Sequence, residues 1–290
     1  MIRRFSFCGR ELSGDTTGND GTWGDVGGRA RKRFGQHFLT DPRILGRIAD
    51  ALRIAPGDSV VEIGPGRGAL TEPLLDRVGP NGHVVAVEVD RDLSALLRER
   101  YAGRPEFTLV EGDVLKTEFT PYVASPFLLI GNIPYNITTP ILFRALEPPR
   151  AERMVFLIQR EVADRLAAAP ASEDYGALTV NLQALATVET VFTVPAGAFN
   201  PPPKVESAVI RLVPRAEPLI ARDEEVAFRT LVQGLFSYRR KQMLRALRSV
   251  RGMSAADAGA ALERAQIVAT DRPEVLAPAD FARLLRVLRE

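Results

Sequence analysis

Asn132-Ile133-Pro134-Tyr135 places a side-chain amide, a rigid turn and an aromatic ring in four consecutive positions. It directly follows an apolar run, Phe127-Leu128-Leu129-Ile130-Gly131, that reads as a buried strand. In open α/β sheets, ligands bind outside the carboxyl ends of the strands. There the Asn132 oxygen and a backbone carbonyl can accept both N–H bonds of a planar exocyclic amine. The Tyr135 ring can stack on the base that carries the amine. Pro134 lacks an N–H and fixes φ, so it helps present the neighbouring carbonyl. The plainer alternative is an ordinary turn, since Asn and Pro are common turn residues; the sequence upstream argues against it.

Upstream, Ser59-Val60-Val61-Glu62-Ile63 is a β-branched run leading into Gly64-Pro65-Gly66-Arg67-Gly68-Ala69-Leu70. Glycines at 64, 66 and 68 let the backbone approach a ligand where a Cβ would clash. A second strand pattern, His83-Val84-Val85-Ala86-Val87-Glu88-Val89-Asp90, puts Glu88 about twenty residues past the loop, as expected for a carboxylate taking ribose hydroxyls. A third, Phe107-Thr108-Leu109-Val110, runs into Glu111-Gly112-Asp113 and adds an acid at the same edge. Glu88 or Asp113 alone reads as a solvated strand end; loop and acids at successive strand ends read as a nucleoside site.

Two cofactors compete. Gly64-Pro65-Gly66-Arg67-Gly68-Ala69 also fits the dinucleotide fingerprint Gly-Xaa-Gly-Xaa-Xaa-Ala. Glu62, two residues before the first glycine, stands where a dinucleotide strand stays apolar. Gly112-Asp113 offers an acceptor for an adenine amino group, and Asn132 to Tyr135 have no role in hydride transfer. A carboxylate-rich pocket also tolerates a sulfonium better than a pyrophosphate. S-adenosylmethionine is therefore favoured over NAD.

With these motifs the chain resembles the ribosomal RNA adenine N6-dimethyltransferases. The resemblance starts at Arg33-Phe34-Gly35-Gln36-His37-Phe38-Leu39 and takes in Gln159-Arg160-Glu161-Val162-Ala163 and Tyr175-Gly176. It extends through Phe199-Asn200-Pro201-Pro202-Pro203-Lys204-Val205-Glu206-Ser207-Ala208, covering all but roughly the first thirty residues. It implies a Rossmann-like class I methyltransferase with a seven-stranded, mostly parallel sheet and a small C-terminal all-α domain. It also implies S-adenosylmethionine as cofactor, held by the glycine loop (Glu62, Gly64, Gly66), Glu88 at the ribose, Asp113 at the adenine, and His37, Leu39 and Asn132. Many members carry asparagine where this chain has His37; either offers a donor and an acceptor, and histidine adds a pH-dependent charge. The catalytic residues implied are Asn132, Ile133, Pro134 and Tyr135, with Phe199 as a candidate for the second face of the target base. The N6 lone pair of adenine is delocalised into the ring. Accepting both N6 hydrogens on Asn132 and the Ile133 carbonyl favours a more tetrahedral nitrogen, which stabilises charge as it develops. No strong base is required, because the alkylated nitrogen is acidic. The branch resembled dimethylates two adjacent adenosines near the 3′ end of 16S RNA in an immature small subunit. The rivals are an antibiotic-resistance branch acting on large-subunit RNA and an assembly factor whose methylation is incidental.

The 290 residues are 46% apolar, enough for two domains, with a net charge of +2. The charge is clustered. Residues 29–33 hold Arg29, Arg31, Lys32 and Arg33; residues 226–256 hold Arg229, Arg239, Arg240, Lys241, Arg245, Arg248 and Arg251 with no acid. Such clusters are the footprint of a phosphate backbone, and Arg31, Lys32, Arg33, Lys204, Arg239, Arg240, Lys241, Arg245 and Arg248 are the candidate RNA contacts. Phe228, Leu231, Val232, Leu235 and Phe236 have helical spacing and read as core. Cys8 is the single cysteine, which excludes an intramolecular disulfide and fits a reducing cytoplasm. With only His37 and His83 beside it, no metal cluster is visible. No stretch has transmembrane length, and the expectation is a cytoplasmic monomer.

The elements that must position these residues are legible. Asp41-Pro42 reads as cap and first residue of a helix to about Arg53. Strands and helices then alternate to about residue 170, with residues 153–159 as a fifth buried strand. Residues 188–194 and 205–213 read as a closing antiparallel pair. After Pro214 the character changes to short amphipathic helices, one capped by Ser254 and the last opened by Pro278. The expected division is a disordered extension over 1–28, a methyltransferase domain over 29–215 and a helical RNA-binding domain over 216–290. The glycine-rich first segment also reads as a misassigned start, with Val26 as an alternative.

Overall fold

The computed structural model describes residues 37–290; the expectations for residues 1–28 and for Arg31, Lys32 and Arg33 lie outside the described residues. The described residues open with β1 (Phe38–Leu39) and α1 (Pro42–Ala51). Asp41 caps α1, its carboxylate accepting the Arg43 N–H at 2.8 Å, with Pro42 at the first helical position. There follow β2 (Ser59–Ile63), α2 (Thr71–Val78), β3 (His83–Glu88), α3 (Arg91–Arg100), β4 (Phe107–Glu111), β5 (Leu128–Asn132), α4 (Thr138–Ala145) and β6 (Arg153–Gln159). Strand β3 is two residues shorter than expected because Asp90 leaves it to cap α3, accepting the Asp92 N–H at 2.9 Å.

Next come α5 (Arg160–Ala167), α6 (Ala177–Gln183), β7 (Ala186–Val194), β8 (Phe199–Asn200) and β9 (Ser207–Pro214). The main sheet runs β4-β3-β2-β5-β6-β9-β7. Its first five strands are parallel; β9 pairs antiparallel to β6 and β7. The expected closing pair is present, with β9 inserted between β6 and the edge strand β7.

The central strands β2, β3, β5 and β6 are buried on both faces, which is why they are nearly continuous apolar runs. Along β6, Val155 and Leu157 pack with α1, α2 and α3, through Leu45, Ile48, Leu74 and Leu97. Met154, Phe156 and Ile158 face the other way, toward α4, α5 and α6. That second core continues into α7 (Glu225–Ser237), α8 (Met243–Arg251), α9 (Ala255–Arg264) and α10 (Pro278–Val287). Phe228, Leu231, Val232 and Leu235 are buried there, as their spacing requires. The fully buried Tyr175 ties the two parts, its hydroxyl donating to the Leu276 carbonyl at 2.8 Å. The basic stretch is not one helix: residues 238–242 turn the chain between α7 and α8.

Candidate active site

A cleft of about 1450 Å³ lies at the carboxyl ends of β2, β3 and β5. Gly64, Gly66 and Gly68 form the turn after β2, each with positive φ. At Gly66 (φ +60°) an added Cβ would meet the Phe38 ring at 3.1 Å, so β1 lies directly on the loop. At Gly68 (φ +81°) a Cβ would come within 2.6 Å of the Tyr101 hydroxyl, which donates to the Gly68 carbonyl. Positive φ strains any other residue at these two positions, and a Cβ there would crowd the Phe38 and Tyr101 side chains.

Two carboxylates are buried beneath the loop. Glu62 is 1% exposed and accepts the Thr71 hydroxyl at 2.6 Å. Burial pushes its carboxyl up to about 8; the Thr71 bond opposes the shift and the nearby Glu88 charge adds to it. Glu88 accepts the Gly66 N–H at 3.1 Å on one oxygen and the Asp90 N–H at 2.9 Å on the other. Burial raises Glu88 too, against the backbone N–H groups of Asp90, Gly66 and Val89. Asp113, half-buried at the end of β4, accepts the Leu115 N–H at 3.0 Å and still lines the cleft. Burial thus favours the neutral forms of Glu62 and Glu88, and a nucleoside bearing a cationic group would draw them toward their ionised forms.

The turn after β5 completes the site. Asn132 Nδ2 donates to the His37 carbonyl at 3.1 Å, which commits the amide nitrogen and leaves Oδ1 as the acceptor. The Ile133 N–H donates to the Leu157 carbonyl at 3.0 Å. The Pro134 carbonyl accepts from the Ile137 N–H and the Thr138 hydroxyl. The Ile133 carbonyl, by contrast, accepts no hydrogen bond among the described residues. Tyr135 is fixed through its hydroxyl, 2.6 Å from Ser207 Oγ, and burial raises its phenol against that bond. The His37 ring faces Tyr135 with centroids 5.8 Å apart.

One cleft thus gathers Asn132, Ile133, Pro134 and Tyr135 with His37, Leu39, Glu62, Gly64, Gly66, Glu88 and Asp113. Phe199 is not among its lining residues. Paired with Leu39 across β1 and β8, it is 4% exposed in the core, and Asn200 and Pro201 line the cleft instead. The expected second face for a base is therefore not provided by Phe199 in this structure. Lys204 is exposed in the loop beyond. Arg240, Lys241, Arg245 and Arg248 are exposed on the α7–α8 turn and on α8, without an acidic partner among the described residues. Arg239 departs from the expected free phosphate contact: its Nε donates to Glu274 at 2.6 Å and its Nη2 to the Glu173 carbonyl at 2.9 Å. It clamps the turn to its surroundings. Arg229 covers the Phe143 ring at 4.3 Å.

Sequence reasoning missed the β1–β8 pair, the His37 links and the supports from Thr71 and Ser207. Ser207 stands within the run 199–208 that carries the family resemblance, but two-residue strands and backbone-mediated links leave no periodic trace. Among the described residues no helix is long and apolar enough to cross a membrane, and no His, Cys, Asp and Glu group could hold a metal.

Known proteins share both sequence and fold. The chain is 46% identical over 264 residues to the ribosomal RNA small subunit methyltransferase A of Acinetobacter baylyi, covering 90% of this chain and 93% of that protein. It is 49% identical over 223 residues to the protein of the same name from Aromatoleum aromaticum, covering 76% and 82%. Among solved structures, a dimethyladenosine transferase from Plasmodium falciparum superposes with a TM-score of 0.75 at 28% identity, covering 87% of this chain and 98% of that one. The 23S rRNA methyltransferase ErmE gives a TM-score of 0.67 at 33% identity, covering 87% and 100%. The family model for ribosomal RNA adenine dimethylase matches residues 27–289, and the chain belongs to that family.

Proposed function

We infer that this protein transfers methyl groups from S-adenosylmethionine to N6 of two adjacent adenosines near the 3′ end of 16S rRNA, giving N6,N6-dimethyladenosine. The observation that carries the chemistry is the pair of acceptors at the end of β5. Asn132 Oδ1 and the Ile133 carbonyl are two acceptors of this turn that take no hydrogen bond among the described residues. They accept the two N6 hydrogens and strengthen their grip as the nitrogen becomes tetrahedral and positive. Tyr135, braced by Ser207, stacks on the adenine. Once alkylated, the nitrogen is acidic, so its proton leaves without a dedicated base.

The loop, Glu88, Asp113 and Glu62 would hold the cofactor, with Leu39, Asn132 and the main chain of His37 closing over it. When bound, the cofactor supplies an electrophilic methyl group on a sulfonium. That positive charge would favour ionisation of the buried Glu62 and Glu88 carboxyls, which burial otherwise keeps protonated more readily. The substrate is an immature small subunit in the cytoplasm, and the protein acts as a monomer without metal. We place the catalytic domain at 29–215 and assign 216–290 to RNA, through Arg240, Lys241, Arg245 and Arg248 with Lys204 nearer the cleft. Small-subunit RNA is favoured over large-subunit RNA by the 46–49% identity to small-subunit enzymes, against 33% to the 23S enzyme.

The test is labelled methyl transfer to immature small subunits, with large-subunit RNA alongside, followed by nucleoside analysis. N6,N6-dimethyladenosine in small-subunit RNA alone is the expected result. Label in large-subunit RNA would move the activity to the resistance branch, and no transfer with RNA bound would favour the assembly factor.

A further inference from the structure

The group that orients the catalytic amide lies 95 residues upstream of it. His37 reaches two other segments at once. Its backbone carbonyl accepts from Asn132 Nδ2, and its ring Nδ1 lies 2.8 Å from the Pro201 carbonyl. A carbonyl only accepts, so Nδ1 carries the proton and donates. Between these links runs a two-residue strand pair, Phe38↔Asn200 and Leu39↔Phe199. Its far end is fixed by the Thr40 N–H, which donates to the Ala198 carbonyl at 3.1 Å. Its near end is held by the His37 side chain.

We propose that His37 is a positioning residue for methyl transfer, its δ-nitrogen latching the strap to Pro201 so that the strap's carbonyl fixes the Asn132 amide. The proposal rests on the reading of Asn132 as acceptor of the target amine. An amide is nearly symmetric in shape, and rotation by half a turn exchanges oxygen for NH₂. In the rotated state Asn132 presents donors to an amine that also donates, and the acceptor is lost. The His37 carbonyl selects the productive rotamer, because only Nδ2 can bond to it. A strand of two residues holds its register weakly, so the latch at its end decides where that carbonyl sits. The ring's contact with Tyr135 adds a brace on the same turn.

The test compares His37→Asn, His37→Ala and His37→Leu. Asparagine carries a donor nitrogen at the same δ position as Nδ1; alanine and leucine carry none. His37→Ala and His37→Leu should lower kcat by roughly 10–100-fold. Their affinity for S-adenosylhomocysteine, measured by calorimetry, should stay within about threefold, and His37→Asn should recover kcat to within about threefold of the parent. A merely structural role would not give this split or this rescue. Equal losses in His37→Asn and His37→Ala would overturn the proposal. So would unchanged kcat with a tenfold weaker affinity for S-adenosylhomocysteine, which would make His37 a direct cofactor contact. The Asn132 side-chain amide resonance, identified by its loss in Asn132→Ala, gives a readout free of turnover. It should be exchange-protected in the parent and His37→Asn and unprotected in His37→Ala. If the parent transfers no methyl group, the functional reading fails, and the amide resonance alone decides for or against the latch.

Discussion

Replacing Glu62 by glutamine should change how the stability of the cofactor-free protein depends on pH. The carboxyl is 1% exposed, and burial raises it from 4.5 to about 8. Between those values the folded protein keeps a proton that the unfolded chain has released. Stability therefore falls as pH rises through this window, by about 1.4 kcal/mol per unit. Below 4.5 both states are protonated and above about 8 both are ionised, so the slope vanishes outside it. Across the window the loss is roughly 5 kcal/mol at most. At roughly 2–4 °C per kcal/mol, that corresponds to about 10–20 °C in Tm. Glutamine mimics the protonated acid, still accepts the Thr71 hydroxyl and cannot ionise. Thermal unfolding of both proteins from pH 5 to 9 should give similar Tm values at the acid end and a more stable variant at the alkaline end. Glu88, also raised by burial, leaves a residual slope in both. Parallel curves would refute the reasoning, since Glu62 would then be ionised in the folded protein. The sulfonium proposed for this cleft would favour the ionised form of Glu62 when the cofactor binds.

Four further outcomes follow from particular contacts. Tyr175→Phe removes the hydroxyl bonded to Leu276 and leaves a buried carbonyl unsatisfied; stability should drop by about 1–3 kcal/mol with kcat unchanged, and an unaltered calorimetric Tm would show that this link is not needed. Gly68→Ala forces a side chain into positive φ against the Tyr101 hydroxyl; it should cost about 1–3 kcal/mol and weaken S-adenosylhomocysteine binding in calorimetry. Neutralising Arg240, Lys241, Arg245 and Arg248 together should reduce the slope of log affinity for RNA against log salt by roughly 3, measured by filter binding. Arg239→Gln should instead lower Tm through loss of Glu274 and the Glu173 carbonyl, with little change in that slope.

How much of this was legible in the sequence depended on how local the signal was. The buried strands announced themselves as apolar runs, and Asp41, Ser254 and Pro278 marked helix starts where the structure has them. The cleft residues stood at successive strand ends, so the alternation of strand and helix brought them together. Contacts between distant segments were hidden. Phe199 stands before three prolines and looked like a base-stacking ring, yet its pairing with Leu39 turns it into the core. Arg239 shares a basic run with Arg240 and Lys241, and only the fold brings Glu274 to it. The latch at His37 joins positions 164 residues apart, and no composition or period encodes that.

The central claim is that the turn after β5 performs the chemistry, and Asn132→Ala tests it most directly in single-turnover transfer at saturating cofactor and RNA. Loss of one acceptor from a preorganised pair should slow the chemical step by roughly 10²–10³-fold while RNA and S-adenosylhomocysteine affinities stay within a few-fold. Transfer at the parent's rate, or a loss explained entirely by weakened binding, would contradict it.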